Sequence, residues 1–190
     1  MHEPSPALVI VSGAPNAGKT TLVRYLAAEL RLPLLTKDGF KEVLGDALGA
    51  EDRDASKLLG AAAHELLYAT AGWLLDAGTG LIVESNFWRG LSERSLGPLI
   101  ARARPVLIHC EAPLQTLLDR HAERIARAER HAVHFDLGET DALRSAVAVG
   151  RFEPIELDIP MLRVDTTNGY VPGLTDILAF VRAVTPLGRP

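Results

Sequence analysis

Short runs of consecutive apolar residues alternate along the chain with longer segments whose apolar residues recur every three or four positions. Continuous runs are typical of strands buried on both faces of a parallel sheet, and the spaced pattern is typical of amphipathic helices. The predicted strands are 8–12, 33–36, 81–84, 106–110 and 161–164, and the predicted helices are 19–31, 40–48, 55–77, 91–104, 113–130, 141–149 and 174–184. This alternation predicts an α/β fold, with a five-stranded parallel sheet between two helical layers.

Length and charge narrow this expectation. The chain has 190 residues and no Pro-rich or Ser-rich linker, so we expect a single domain over 1–190. A net charge of −4 gives no global field that would attract nucleic acid. The lone cysteine, Cys110, ends an apolar run and is expected to be a buried thiol in a reducing compartment. No leader pattern and no apolar segment of membrane-spanning length is present, so we expect a cytoplasmic protein.

The first predicted strand leads directly into Gly13-x-x-x-x-Gly18-Lys19-Thr20. This spacing forms a phosphate-binding loop, in which backbone N–H groups surround the phosphates, a lysine reaches the β and γ oxygens, and a hydroxyl binds Mg²⁺. A helix follows the loop, as the motif requires. The sequence therefore predicts a P-loop NTPase fold with ATP and Mg²⁺ as cofactors. The predicted nucleotide-binding residues are Gly13, Ala14, Pro15, Asn16, Ala17, Gly18, Lys19, Thr20 and Thr21.

Ligands of such sheets bind beyond the carboxyl ends of the strands, where polar residues follow the second strand. Asp38 and Lys41 lie one helical turn apart there. The carboxylate could take the proton of an attacking hydroxyl, while Lys41 neutralises charge on the transferred group. Alternatively, Asp38 only caps the helix that begins here.

Glu84 ends the third predicted strand at the same edge of the sheet. Its carboxylate could hold Mg²⁺ through water, together with Thr20, or it could orient Lys41 by an ion pair. A cap of the following helix is an equally good interpretation.

Three arginines, Arg120, Arg124 and Arg127, are spaced four and three residues apart and share one face of a predicted helix. Aligned guanidinium groups suit a lid, over about 113–138, that covers the triphosphate during transfer. The alternative is a solvated face whose arginines pair with nearby glutamates. The following residues His131, His134 and Asp136 could in principle bind a metal. With no further ligand at matching spacing, we interpret them as a loop that contacts substrate.

Taken together, these motifs resemble the P-loop kinases of the polynucleotide kinase and chloramphenicol phosphotransferase type, within the small AAA-like kinases. The resemblance rests on the loop, on Asp38-x-x-Lys41, on Glu84-Ser85-Asn86 and on Arg120-x-x-x-Arg124, between residue 8 and about residue 130. It implies that Asp38 is the general base and that Arg120 and Arg124 are lid arginines. The chain departs from the polynucleotide kinase pattern by Lys41 in place of arginine and Glu84 in place of aspartate.

The function expected from these residues is ATP-dependent transfer of the γ-phosphoryl group to a hydroxyl of a small molecule. A kinase of nucleic-acid 5′-hydroxyl ends is one alternative, although nothing outside the predicted lid is basic enough to indicate a nucleic-acid channel. An ATPase or nucleotide-dependent switch is another, but the sequence shows no water-positioning residue or assembly surface for it. We expect a monomer or homodimer.

Overall fold

The computed structural model describes residues 5–127, 131–134 and 140–185. Five strands form one parallel sheet in the order β2-β3-β1-β4-β5. The strands are β1 (Ala7–Gly13), β2 (Leu34–Thr36), β3 (Leu81–Glu84), β4 (Arg104–Glu111) and β5 (Met161–Asp165). The helices of the described residues are α1 (Lys19–Leu30), α2 (Lys37–Leu48), α3 (Arg53–Asp76), α4 (Glu93–Ile100), α5 (Leu114–Ala126), α6 (Thr140–Ala148) and α7 (Leu174–Val184), with a 3₁₀ turn at Ala132–His134.

Side chains of the central strands alternate between two apolar cores, as the period of a strand requires. On one face, Val9 and Val11 of β1 pack in a cluster that includes Leu22, Leu117 and Ile177, from helices α1, α5 and α7. On the other face, the cluster of buried residues consists mainly of Leu8, Ile10, Leu67, Leu75, Leu81, Leu96 and Leu107, from three strands and from α3 and α4. The fold is therefore the three-layer α/β arrangement that the sequence predicts.

Three predicted helices begin or end at clearly different residues in the structure. The helix expected from residue 40 begins at Lys37, because the Thr36 hydroxyl caps it by accepting a hydrogen bond from the Gly39 N–H at 3.0 Å. The helix expected over 91–104 is confined to Glu93–Ile100, because the chain must enter β4 at Arg104, whose N–H donates to the Pro6 carbonyl at 2.8 Å. The helix expected to reach residue 130 ends at Ala126 within the described range, and 128–130 lie outside it.

Candidate active site

The loop between β1 and α1 is curled tightly enough to require glycine at both ends. Gly13 has φ +136, and a Cβ there would overlap the carbonyl oxygen of Cys110 on the neighbouring strand. Gly18 has φ +73, and Asn16 also adopts a positive φ, of 65. Because residues with a Cβ rarely adopt these φ values, the spacing of the two glycines determines the backbone path of the loop. The Cys110 side chain is buried beneath the loop, as expected, and burial raises its pKa to about 12.

Lys19 lies across the mouth of this loop. Its ammonium donates to the Ala14 carbonyl at 2.7 Å and to the Asn86 side-chain oxygen at 2.6 Å, and it lies 4.0 Å from a Glu84 oxygen. Burial lowers the pKa of Lys19, whereas the nearby Glu84 carboxylate raises it. Burial raises the pKa of Glu84, and the positive charge of Lys19 lowers it. Phosphate oxygens at this position would supply the negative charge that favours the ammonium form.

A cavity opens at the carboxyl end of the sheet around Lys19. It is lined by the loop, the first turn of α2, the end of β3 with the residues after it, and one residue of α5. The lining residues are Pro15, Asn16, Ala17, Gly18, Lys19, Thr20, Thr21, Asp38, Glu84, Asn86 and Arg124. The structure thus brings together most of the residues selected from the sequence.

The cavity suits a phosphate ester and its cation. The amide nitrogen and oxygen of Asn16 are both buried and have no hydrogen-bond partner in the described part of the chain. Buried polar atoms of this kind normally have a partner, so the loop offers unused hydrogen-bonding capacity. Thr20, exposed at the start of α1, and Glu84 supply the hydroxyl and carboxylate oxygens that Mg²⁺ prefers.

Asp38 lies in the first turn of α2, where it lines the cavity. Its carboxylate lies 3.2 Å from the Lys37 ammonium. Since Thr36 makes the cap hydrogen bond, the interpretation of Asp38 as the helix cap is wrong. Glu84 is not the cap of the next helix either, because α4 begins at Glu93.

Lys41 is not among the residues that line the cavity, contrary to the expectation drawn from its spacing to Asp38. Its buried ammonium donates to the Ser56 hydroxyl at 2.7 Å, and that hydroxyl donates to the Val133 carbonyl at 2.6 Å. The chain of hydrogen bonds joins α2, α3 and the 3₁₀ turn. Glu84 is accordingly placed beside Lys19 and does not orient Lys41 by the expected ion pair.

The three arginines of the predicted lid have separate environments. Arg124 lines the cavity. Arg120 instead donates to the backbone carbonyls of Thr166 and Thr167 and, at 3.2 Å, to that of Asn16, so it joins the β5–α7 loop to the phosphate loop. Arg127 follows the last residue of α5 and lies 3.9 Å from Glu123, with both side chains exposed.

The residues after the predicted lid contact α2. His131 lies 2.9 Å from Asp46, and His134 lies 3.1 Å from Glu42. Among the described residues no group of three or more histidine, cysteine, aspartate or glutamate side chains could hold a metal ion. Asp136 lies outside the described residues.

Two polar contacts at the site were not predicted from the sequence. His64 of α3 lies 3.0 Å from the hydroxyl of Ser85, the residue after Glu84. Tyr170 donates its hydroxyl to the Gly18 carbonyl at 2.8 Å. Both pairs join positions far apart in the chain, so no local spacing signals them. Only the position of Ser85 just beyond a strand pointed to this edge of the sheet.

The fold and the cavity define a P-loop kinase-like nucleotide-binding domain. The chain belongs to the AAA domain family, whose model matches residues 8–149. No curated protein sequence is significantly similar to it. No helix in 5–127, 131–134 or 140–185 combines the length and apolar character needed to cross a bilayer.

Solved structures share this fold over nearly the whole chain. A protein from Chloroflexus aurantiacus, provisionally described as a kinase, is 41% identical with a TM-score of 0.82, and the match covers 96% of this chain and 97% of that one. A sugar kinase from Janibacter is 19% identical, with a TM-score of 0.59 and coverage of 96% and 99%. A gluconokinase from Sinorhizobium meliloti is 14% identical, with a TM-score of 0.58 and coverage of 97% and 96%.

Proposed function

We propose that the protein is an ATP-dependent kinase that transfers the γ-phosphoryl group to a hydroxyl of a small molecule, with Asp38 as general base. One observation carries the proposal: a carboxylate from α2 lines the same cavity as the phosphate loop, Lys19 and Arg124. A nucleotide-binding site alone needs only the loop. A carboxylate across the cavity from it is what phosphoryl transfer to an alcohol additionally requires.

Several residues of the cavity would act together in this reaction. The loop N–H groups and Lys19 bind and orient the phosphates, and Arg124 stabilises negative charge that develops on the transferred group. Thr20 and Glu84 would hold Mg²⁺, which when bound neutralises charge between the phosphates. Asp38 takes the proton of the acceptor hydroxyl while the acceptor oxygen bonds to the γ-phosphorus. The bond between the γ-phosphorus and the β–γ bridging oxygen breaks, which releases ADP.

Charge and fold neighbours favour a small acceptor. The chain carries a net −4, which gives no overall attraction for a polyanion. Two fold neighbours are described as a sugar kinase and a gluconokinase. Lys41, held under the 3₁₀ turn by Ser56, is given no part in the chemistry.

The test begins with a screen of sugars, polyols, nucleosides and oligonucleotide 5′ ends, in which transfer from ATP is measured. On the best acceptor, Asp38→Asn should bind ATP normally but lose transfer by about 10²- to 10⁴-fold, the usual contribution of general acid–base catalysis. Asp54→Asn is the matched control, because Asp54 is the acidic residue in the first turn of α3 and lies outside the cavity lining. Near-native transfer by Asp38→Asn with an unchanged melting temperature would exclude the base.

A further inference from the structure

The hydroxyl group of Tyr170 lies against the first turn of α1, where the phosphate loop ends. It donates a hydrogen bond to the Gly18 carbonyl at 2.8 Å. Burial raises the pKa of Tyr170, and hydrogen bonds of its oxygen with the Thr21 side chain and the Leu22 backbone lower it. Tyr170 is not among the residues that line the cavity, so its hydroxyl reaches the loop from outside the cavity.

This hydroxyl interrupts the first regular hydrogen bond of the helix. In an α-helix the N–H of Leu22 donates to the Gly18 carbonyl, with nitrogen and oxygen about 2.9–3.0 Å apart. The two atoms are 3.5 Å apart here, whereas the Tyr170 oxygen lies 2.8 Å from the same carbonyl oxygen. The direction of the Gly18 carbonyl is therefore set by Tyr170 more than by the helix.

The direction of this carbonyl determines where the next N–H group points. The peptide between Gly18 and Lys19 is planar and trans, so its C=O and N–H bonds point in opposite directions. Lys19 is the first residue of α1, where N–H groups have no partner within the helix and point out of its N-terminus. Because Tyr170 holds the C=O on the side of the helix, the Lys19 N–H is directed into the cavity that both residues line.

Tyr170 is itself held on a constrained loop between β5 and α7. The backbones of Asp165 and Val171 exchange two hydrogen bonds of 2.9 Å, which close the loop next to Tyr170. The N–H of Thr166 donates to the Glu111 carbonyl at 2.9 Å and joins the loop to β4. A hydroxyl on such a loop can orient the phosphate loop before any ligand binds.

We propose that Tyr170 is a positioning residue for phosphate binding, which acts through the Gly18–Lys19 peptide and orients the Lys19 N–H towards the phosphates. The proposal rests on the nucleotide-binding part of the proposed function. Pre-orientation favours binding because the loop does not have to be ordered when the ligand arrives. Without the hydroxyl, the Gly18 carbonyl is free to form the regular bond with Leu22, which turns the Lys19 N–H from its present direction.

The experiment compares Tyr170→Phe with the wild type by calorimetric titration with ATP and with inorganic tripolyphosphate, both in the presence of Mg²⁺. The variant keeps the aromatic ring and loses only the hydroxyl. We expect the dissociation constants of both probes to rise by the same factor, about 3- to 10-fold, as for the loss of one neutral hydrogen bond. Tripolyphosphate has no base or sugar, so an equal factor assigns the effect to the phosphate loop.

Tyr25→Phe is the matched control. Tyr25 lies on α1, packs against the same core as Tyr170 and is outside the cavity lining, so both dissociation constants should stay unchanged. Equal weakening by the two variants would contradict the proposal.

Melting temperatures distinguish positioning from a purely structural contact. If Tyr170→Phe melts at a lower temperature but binds both probes as the wild type does, the hydroxyl only stabilises the fold and the proposal is wrong. A loss confined to ATP would also overturn it, because the hydroxyl would then act on the nucleoside. A wild-type chain that binds neither probe would overturn the nucleotide site itself and this role of Tyr170 with it.

Discussion

Two lysines are almost equally buried in this molecule, but their structural surroundings differ. Lys19 is 6% exposed and Lys41 is 7% exposed. Lys19 crosses the phosphate loop and lines the cavity, where it bonds to Ala14 and Asn86. Lys41 lies between α2 and α3, where it bonds to Ser56. Residue type and burial are thus the same, and only the surroundings distinguish a lysine of the phosphate loop from one that joins two helices.

The comparison of Lys19 with Lys41 shows when a local sequence pattern is sufficient to predict the position of a side chain. The position of Lys19 follows from a loop whose glycines fix the backbone within a few residues. The position of Lys41 depends on two hydrogen bonds between residues that are far apart in the chain. Lys41 bonds to Ser56, 15 residues away, and Ser56 bonds to Val133, 77 residues away. A spacing of three residues from Asp38 puts Lys41 on the same side of a helix, but it cannot say which neighbouring element that side meets.

The largest expected effect comes from the lysine of the loop. Lys19→Met removes the cation beneath the phosphates, so we expect kcat/KM for ATP to fall by about 10²- to 10³-fold, as for the loss of one charge-stabilising donor. Calorimetric titration with ATP and Mg²⁺ should show correspondingly weaker binding. Lys57→Met is the control, because Lys57 is exposed and pairs with Asp54. Unchanged affinity and turnover in Lys19→Met would contradict the nucleotide site.

The second lysine should affect stability instead of chemistry. Lys41→Met removes a buried hydrogen bond from a charged group, so the free energy of unfolding should fall by about 1–3 kcal/mol. Denaturant unfolding measures this change, and ATP titration checks that affinity is retained. Should Lys41→Met keep its stability but lose transfer to the acceptor, Lys41 would have the catalytic role that its spacing to Asp38 predicts, and the contrast with Lys19 would disappear.

Fold and site differ in how far the sequence predicts them. The apolar runs of β1, β3 and β4 identify these strands because both faces of a central parallel strand are buried. The first residue of a helix is harder to predict. The apolar pattern predicts a helix from residue 40, but α2 begins at Lys37, directly after the cap at Thr36. At the site, the loop was predictable from spacing alone. The contacts of Arg120 with Thr166 and of His64 with Ser85 are long-range, so they depend on packing that no local pattern encodes.

The smallest expected effect concerns the charges of Lys37 and Asp38, which act on the pKa of His64. Burial lowers the pKa of His64, the positive charge of Lys37 lowers it further, and the hydrogen bond with the Gly60 backbone and the charge of Asp38 raise it. Because its folded pKa lies below the unfolded value of 6.5, the neutral ring stabilises the fold above pH 6.5. That contribution is lost as the pH falls through the folded pKa.

Imidazole titration followed by NMR should therefore place the His64 midpoint below 6.5. Lys37→Met removes a positive charge, so it should move the midpoint upward, whereas Asp38→Asn removes a negative charge and should move it downward. Lys57→Met should leave the midpoint unchanged, because that charge is exposed and already paired with Asp54. Opposite shifts would show that Lys37 and Asp38 both act electrostatically on the His64 ring beside Ser85. Shifts of the same sign, or none, would mean that solvent screens this side of the cavity and that Asp38 does not share an environment with His64.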